Sequence, residues 1–129
     1  MNVRKYGKNA ELLWKDRKRY FGLPLSFTRY SLIKNGDEWF KLFCAIGLLS
    51  TTIDEINLYR IKDLSLHQTL FDKIFGTGTI TLYSNDVRNP IFYLRRVKDP
   101  FKVRDILSSF IEEQRAIKGV RVAEFQTNI

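Results

Sequence analysis

With 129 residues, of which 44% are hydrophobic and 14% aromatic, the chain suffices for one domain with its own core and is short for two. The densest apolar stretch, Phe40 to Leu49, is too short to span a bilayer and contains Lys41, and no apolar leader follows the basic start at Arg4 and Lys5. The +8 net charge is uneven, because residues 1–23 hold seven basic residues against two acidic ones.

In that leading segment Arg4, Lys5, Lys15, Arg17, Lys18 and Arg19 are interleaved with Leu12, Leu13, Trp14, Tyr20 and Phe21. Two readings stand. The segment could lie on an anionic membrane surface, where each Lys or Arg near the lipid contributes about 1 kcal/mol and Trp and Tyr favour the interface. Alternatively its aromatics fold back over an open edge of the domain and leave the cations solvated.

From Gly22-Leu23-Pro24 onward the pattern is that of strands. Leu25 and Phe27 define one face, Tyr30 and Leu32 have the opposite parity, and a bulge near Thr28-Arg29 would bring both pairs inward. Asn35-Gly36 is a strong hairpin signal, and the return strand puts Phe40, Leu42, Cys44 and Ile46 on one face. The other face carries Trp39, Lys41, Phe43 and Ala45, too apolar to be wholly wet, so something such as the N-terminal aromatics or a partner chain should cover it. Ser50 to Asn57 follows as a third strand rich in β-branched residues.

The central stretch, Tyr59 to Ser84, alternates at Leu64, Leu66 and Leu70 with polar residues between. Leu70, Phe71, Ile74 and Phe75 then have the spacing of one helical turn, read as an apolar plug between two strands, with Gly76-Thr77-Gly78 freeing the backbone for Ile80 and Leu82. Turn formers fill Asn85 to Pro90, and Ile91 to Val97 pairs back. Asp99-Pro100 opens a helix in which Val103, Ile106, Leu107, Phe110, Ile111 and Ile117 repeat at helical spacing up to Gly119. The chain thus divides into a basic aromatic segment (1–23), a domain (24–119, strands over 24–97 and a helix over 99–118) and a patternless tail (120–129).

The expected fold is therefore mainly β with one C-terminal α-helix: a split, partly open antiparallel barrel of six or seven strands capped by the helix. Glu55 to Leu64, continued by Gln68 to Ile80, with the leading Trp14-Lys15-Asp16-Arg17-Lys18-Arg19 and the closing Lys98 to Asp105, resembles the bacterial pleckstrin-homology-like (PH-like) domains, over nearly the whole span from Trp14 to Lys118. The resemblance implies a binding or scaffolding module without enzymatic activity. Eukaryotic domains of this fold that hold inositol phosphates place cations in the loop joining their first two strands. Here that loop is read as Asn35-Gly36-Asp37-Glu38, too short and too acidic to cradle a headgroup, which argues against phosphoinositide binding there.

Reactive groups are few. His67, the single histidine, falls on the polar face of its strand; Cys44, the single cysteine, lies among apolar neighbours; and a zinc site would need several of either. Asp54-Glu55 point to opposite faces, and Gly76-Thr77-Gly78 lacks the rest of a nucleotide loop. No catalytic residue, metal or cofactor is therefore assigned. Arg29, Lys34, Lys41, Arg60 and Lys62 could meet phosphates on nucleic acid, but there is no recognition helix or RNA-stacking motif. The expectation is a cytoplasmic, non-enzymatic module at or near the inner membrane face. It would act through protein contacts or self-association, with Trp14, Trp39, Phe43 and Tyr59 as anchors, or through anionic lipid and the N-terminal cations.

Overall fold

The computed structural model describes residues 6–127, with side chains through residue 119. Four strands, β1 (Ala10–Arg17), β2 (Thr28–Asn35), β3 (Trp39–Ile46) and β4 (Thr52–Asn57), pair in sequence order as an antiparallel meander. A short 3₁₀ turn, Leu58–Arg60, leads to β5 (Ile61–His67), β6 (Thr77–Ser84) and β7 (Ile91–Lys98), which form a second antiparallel sheet. A six-residue helix, α1 (Leu70–Phe75), interrupts the β5–β6 connection, and α2 (Pro100–Thr127) closes the chain.

The two sheets do not merge into a closed barrel; they meet through a few specific bonds. The Lys98 backbone N–H donates to Asp16 Oδ2 at 2.8 Å, and the Arg19 N–H donates to the Arg96 carbonyl at 3.0 Å, tying the end of β1 to the end of β7. Between the sheets, Leu32, Phe40, Leu42, Leu58, Ile80, Leu82 and Leu94 are all fully buried. Burial of a side chain of this size is worth about 1.5–3 kcal/mol, so this shared interior is what holds the sheets together. Tyr30 lies in it too, its phenolic oxygen accepting from the Arg95 N–H at 3.0 Å, and burial pushes its pKa up to about 12.

Helix α2 seals the same interior. Val103, Leu107 and Ile111, one turn apart, are buried, and Phe110 meets Phe40 with ring centroids 5.7 Å apart. Further along, Gln114 is buried and accepts from the Tyr59 N–H at 3.2 Å, while Arg115 donates to the Ile61 carbonyl, anchoring the helix to the corner between the sheets. Close contact with the helix start also explains Gly78, where a Cβ would come within 2.8 Å of the Pro100 ring.

Four expectations from sequence need correction. Residues 10–17 are the edge strand β1; the extra residue of a bulge between Leu12 and Trp14 breaks the alternation that would reveal it. Leu25 and Phe27 do not turn inward: β2 begins at Thr28 in unbroken register with β3, and both residues sit exposed in the preceding loop. The α1 turn is not a plug, since Leu70, Phe71, Ile74 and Phe75 all face solvent. The helix does not stop at Gly119, and its backbone continues to Thr127 through much of the span read as a tail. On the apolar outer face of β3, Phe43 is met by Tyr6, their ring centroids 4.5 Å apart and the rings tilted by 39°.

Candidate functional site

Because the meander is antiparallel, the end of β1, the start of β2, the end of β3 and the start of β4 share one end of the first sheet. The connection between β1 and β2 is the ten-residue loop 18–27. Asn35-Gly36-Asp37-Glu38 joins β2 to β3 instead, at the far end, so the loop assignment made from sequence is corrected. Those carboxylates therefore do not face a ligand at the first loop, and the ground for arguing against a headgroup there falls away.

The loop is built, not slack. Ser26 is buried and its hydroxyl donates to the Lys18 carbonyl at 2.6 Å, pinning the two arms together. Arg19 donates through Nε to Asp16 Oδ1 at 3.1 Å and through Nη1 to the Gly22 carbonyl at 3.0 Å, and its Nη2 lies 3.0 Å from the same carboxylate. With the Asp16 side chain only 7% exposed, this pair is a structural staple that holds the loop against β1. At the tip, Tyr20 and Leu23 exchange backbone hydrogen bonds at 3.0 and 2.9 Å across Phe21 and Gly22, whose φ angles are 53° and 78°. Positive φ at both central residues is what a type I′ hairpin turn requires. Phenylalanine is a poor residue for such a position, and left-handed backbone at a bulky residue is strained. Its ring is 74% exposed and meets Phe75 edge-on at 5.8 Å.

Beside the loop, Arg17 on β1 is directly opposite Arg29 on β2, with Lys15 two residues along on the same face. These cations border a cleft of about 470 Å³ together with Ser31, Pro24 and the Arg19–Asp16 pair. Like charges placed opposite one another across strands are unfavourable, so this pairing does not serve the sheet itself. Arg29 donates through Nη2 to the Gly47 carbonyl at 3.0 Å, while its Nε is buried with no protein partner among the described residues. A guanidinium with spare donors among other cations is suited to a phosphate or carboxylate.

The same end carries most of the exposed apolar surface. Eighteen large apolar side chains are well exposed among the described residues, and thirteen of them lie on the first loop, on 46–53 around the β3–β4 turn, and on α1. The Gly47 N–H donates to the Phe27 carbonyl at 3.4 Å and Phe21 touches Phe75, so the three segments are joined. Contiguous exposed apolar surface marks an interaction site.

Helix α1 is held rigidly in this orientation. Thr69 accepts from the Asp72 N–H at 3.1 Å and Asp72 Oδ2 accepts from the Thr69 N–H at 3.0 Å, a reciprocal capping box. Asp72 Oδ1 also accepts from the buried Thr77 hydroxyl at 2.8 Å. Burial alone would raise the Asp72 pKa, but bonds to Thr69 and Thr77 and the charge of Arg96 outweigh it and hold the carboxyl below its ordinary value. Gly76, at φ 69°, terminates the turn in the left-handed conformation.

The residues singled out from sequence divide clearly. Lys15 and Arg17 border the basic cleft, Lys18 lies 5.3 Å from the Tyr20 ring centroid and borders a separate cleft with Thr28 and Cys44, and Arg19 is the staple. Arg4 and Lys5 lie outside the described residues. Trp14 packs partly against the core; Trp39 is half-buried, edge-on to Phe43 at 6.3 Å; and Phe43 is only 4% exposed, so it offers no free anchor. Tyr59 is half-buried between the cations of Arg60 and Lys118. None of these aromatics belongs to the loop end. Arg29 is read from sequence only as one of five scattered cations that could meet nucleic acid, and α1 only as a plug, although Thr69 and Asp72, three apart, carry the capping signal.

His67 is exposed, and no group of three potential metal ligands occurs among the described residues. Burial first, and Asp54 second, push the Cys44 thiol up to about 11, so it stays protonated at neutral pH.

Two open antiparallel sheets of four and three strands with a sealing C-terminal helix define a PH-like split barrel. The family model described as the bacterial PH domain matches residues 24–111, well over half of the chain, and the chain belongs to that family. It is a family of non-catalytic modules, which makes this chain a binding or scaffolding module in general terms. Neither the curated proteins nor the solved structures compared with it give a match. No helix among the described residues is long and apolar enough to cross a membrane.

Proposed function

We propose that this chain is a peripheral docking module that sets its first-loop end against an anionic lipid surface. The reading is carried by one coincidence: the Lys15, Arg17 and Arg29 cleft adjoins a loop displaying Tyr20, Phe21, Leu23, Leu25 and Phe27 to solvent. Headgroup phosphates would occupy the cleft, where the opposed guanidiniums of Arg17 and Arg29 gain most from an anion. The loop aromatics and aliphatics would enter the interface, as amphipathic surface elements do. Each surface cation is worth about 1 kcal/mol near anionic lipid, so neither part need be strong alone.

The test is co-sedimentation with phosphatidylglycerol and with phosphatidylcholine vesicles, for the parent chain and for Lys15→Glu/Arg17→Glu. Preference for the anionic vesicles, lost in the charge-reversed variant and weakened by salt, is the expected result. Equal pelleting with both lipids, or none with either, would defeat the proposal.

A second reading is favoured by a separate feature, the open edge of β4. Thr52, Ile53, Asp54 and Glu55 are all exposed on the outer strand of the first sheet, which leaves backbone groups ready to pair with another protein or with a second copy. Light scattering across a concentration series distinguishes self-pairing, which raises the mass, from a chain that stays monomeric. Only the second result rules out the dimer.

A further inference from the structure

We infer that α1 is a second membrane-entering element, inserting its apolar turn among lipid headgroups beside the first loop; this rests on the lipid reading above and extends it to the second sheet. Leu70, Phe71 and Ile74 are 72%, 69% and 65% exposed, whereas Asp72 is the one buried residue of the helix. The usual arrangement is thus inverted, with the apolar side chains in water and the carboxylate inside.

The inversion is fixed by construction. The Thr69–Asp72 capping box, the Thr77 hydroxyl on Asp72 and the left-handed Gly76 leave the turn no freedom to roll its apolar side onto the core. An ordered turn that keeps three large apolar side chains in water returns nothing to the stability of the isolated domain. It is therefore fitted to a partner.

Three observations identify that partner as lipid. Leu70 and Ile74 project from the surface and border no cleft, and Phe71 borders only the small one that the helix shares with the first loop, so the three form a protruding tip. The charge around them is net positive, since Lys73, Arg96 and Lys98 are exposed against Asp99 alone while the helix's own carboxylate is buried, and this complements anionic headgroups. The helix is also continuous with the first loop, through the Phe21–Phe75 contact and a cleft of about 280 Å³ walled by both. Two apolar tips side by side would enter one bilayer leaflet together, and their joint insertion makes binding depend on lipid packing as well as charge.

The test uses the full chain with an environment-sensitive fluorophore on Ile74→Cys, and on Glu38→Cys as the control. Both are made in a Cys44→Ser background, because the native thiol borders a cleft beside Tyr30 and Phe92. Glu38 lies in the β2–β3 turn, separated from the first loop by the length of β2, about 24 Å at the usual rise per residue. With phosphatidylglycerol vesicles, a blue shift at position 74 that is quenched by nitroxide-labelled acyl chains, and no change at position 38, is the expected result. Phe71→Ser/Ile74→Ser should weaken binding on the order of tenfold while its urea midpoint stays at the parent value.

If the protein pellets with these vesicles but the probe at position 74 stays in water, the inference is overturned and the lipid reading survives. If the protein does not pellet, both fall. A blue shift without vesicles that grows with protein concentration would assign α1 to a second copy of the chain and also overturn the inference.

Discussion

Replacing Phe21 by Asn separates what the first loop contributes to stability from what it contributes to docking. Phe21 has φ 53° at the tip of the type I′ turn, where left-handed backbone costs an ordinary L-residue about 1–2 kcal/mol. Asn tolerates this conformation, and Asn followed by Gly is the preferred centre of such a turn. The loss is the contact with Phe75, an edge-on pair at 5.8 Å worth about 0.5 kcal/mol in this exposed setting. Phe21→Asn should therefore stabilise the domain by about 0.5–1.5 kcal/mol. At an m-value of about 1–3 kcal/mol/M, the urea midpoint rises by about half a molar unit. Vesicle titration should move the opposite way: a half-buried phenyl ring is worth about 1.4 kcal/mol, or about tenfold in affinity for phosphatidylglycerol vesicles. A lower urea midpoint would refute the strain argument, and unchanged vesicle affinity would refute the role of the ring.

Asp72→Ala removes the capping bond to Thr69 and strands the buried Thr77 hydroxyl, which together should cost about 2–3 kcal/mol in urea denaturation; a loss under about 0.5 kcal/mol would show that the network is incidental. The folded-state pKa of Asp72 lies below its unfolded value of about 3.9. Its contribution is therefore complete above about pH 4 and lost as pH falls through the folded value, so the acid limb of a midpoint-against-pH curve should flatten in Asp72→Ala and not in a surface control. Leu107→Ala opens a cavity where α2 meets the sheets and should cost about 2–5 kcal/mol by the same assay, against under 1 for Leu70→Ala on the exposed turn.

What sequence could and could not reveal follows from what each signal measures. Alternation in β3 and β6 and the Asn35-Gly36 turn are local and strong, and Phe40, Leu42, Ile80 and Leu82 are buried as that alternation implies. Strand β1 escaped because its bulge shifts the parity after Leu12, and with it went the correct identity of the first loop. Without β1, the Asp37–Glu38 turn stands first in the chain, whereas the cations of the true first loop stand at the other end of the sheet. For α1, helical spacing groups Leu70, Phe71, Ile74 and Phe75 on the turn but cannot say whether they face the core or the water. That choice is made by the bond between Asp72 and Thr77, five residues apart across the Gly76 turn, which hydrophobic periodicity does not encode. The Arg17–Arg29 pairing was equally hidden, because two cations twelve positions apart become neighbours only once the register is known.

Orientation on the bilayer is the claim on which the rest depends, and power-saturation EPR measures it most directly. Spin labels placed one at a time at Phe21, Leu49 and Glu38 should report, on phosphatidylglycerol vesicles, the first two below the headgroup phosphates and the third in water. All three in water on vesicle-bound protein, or position 38 inserted with the other two exposed, would contradict the account.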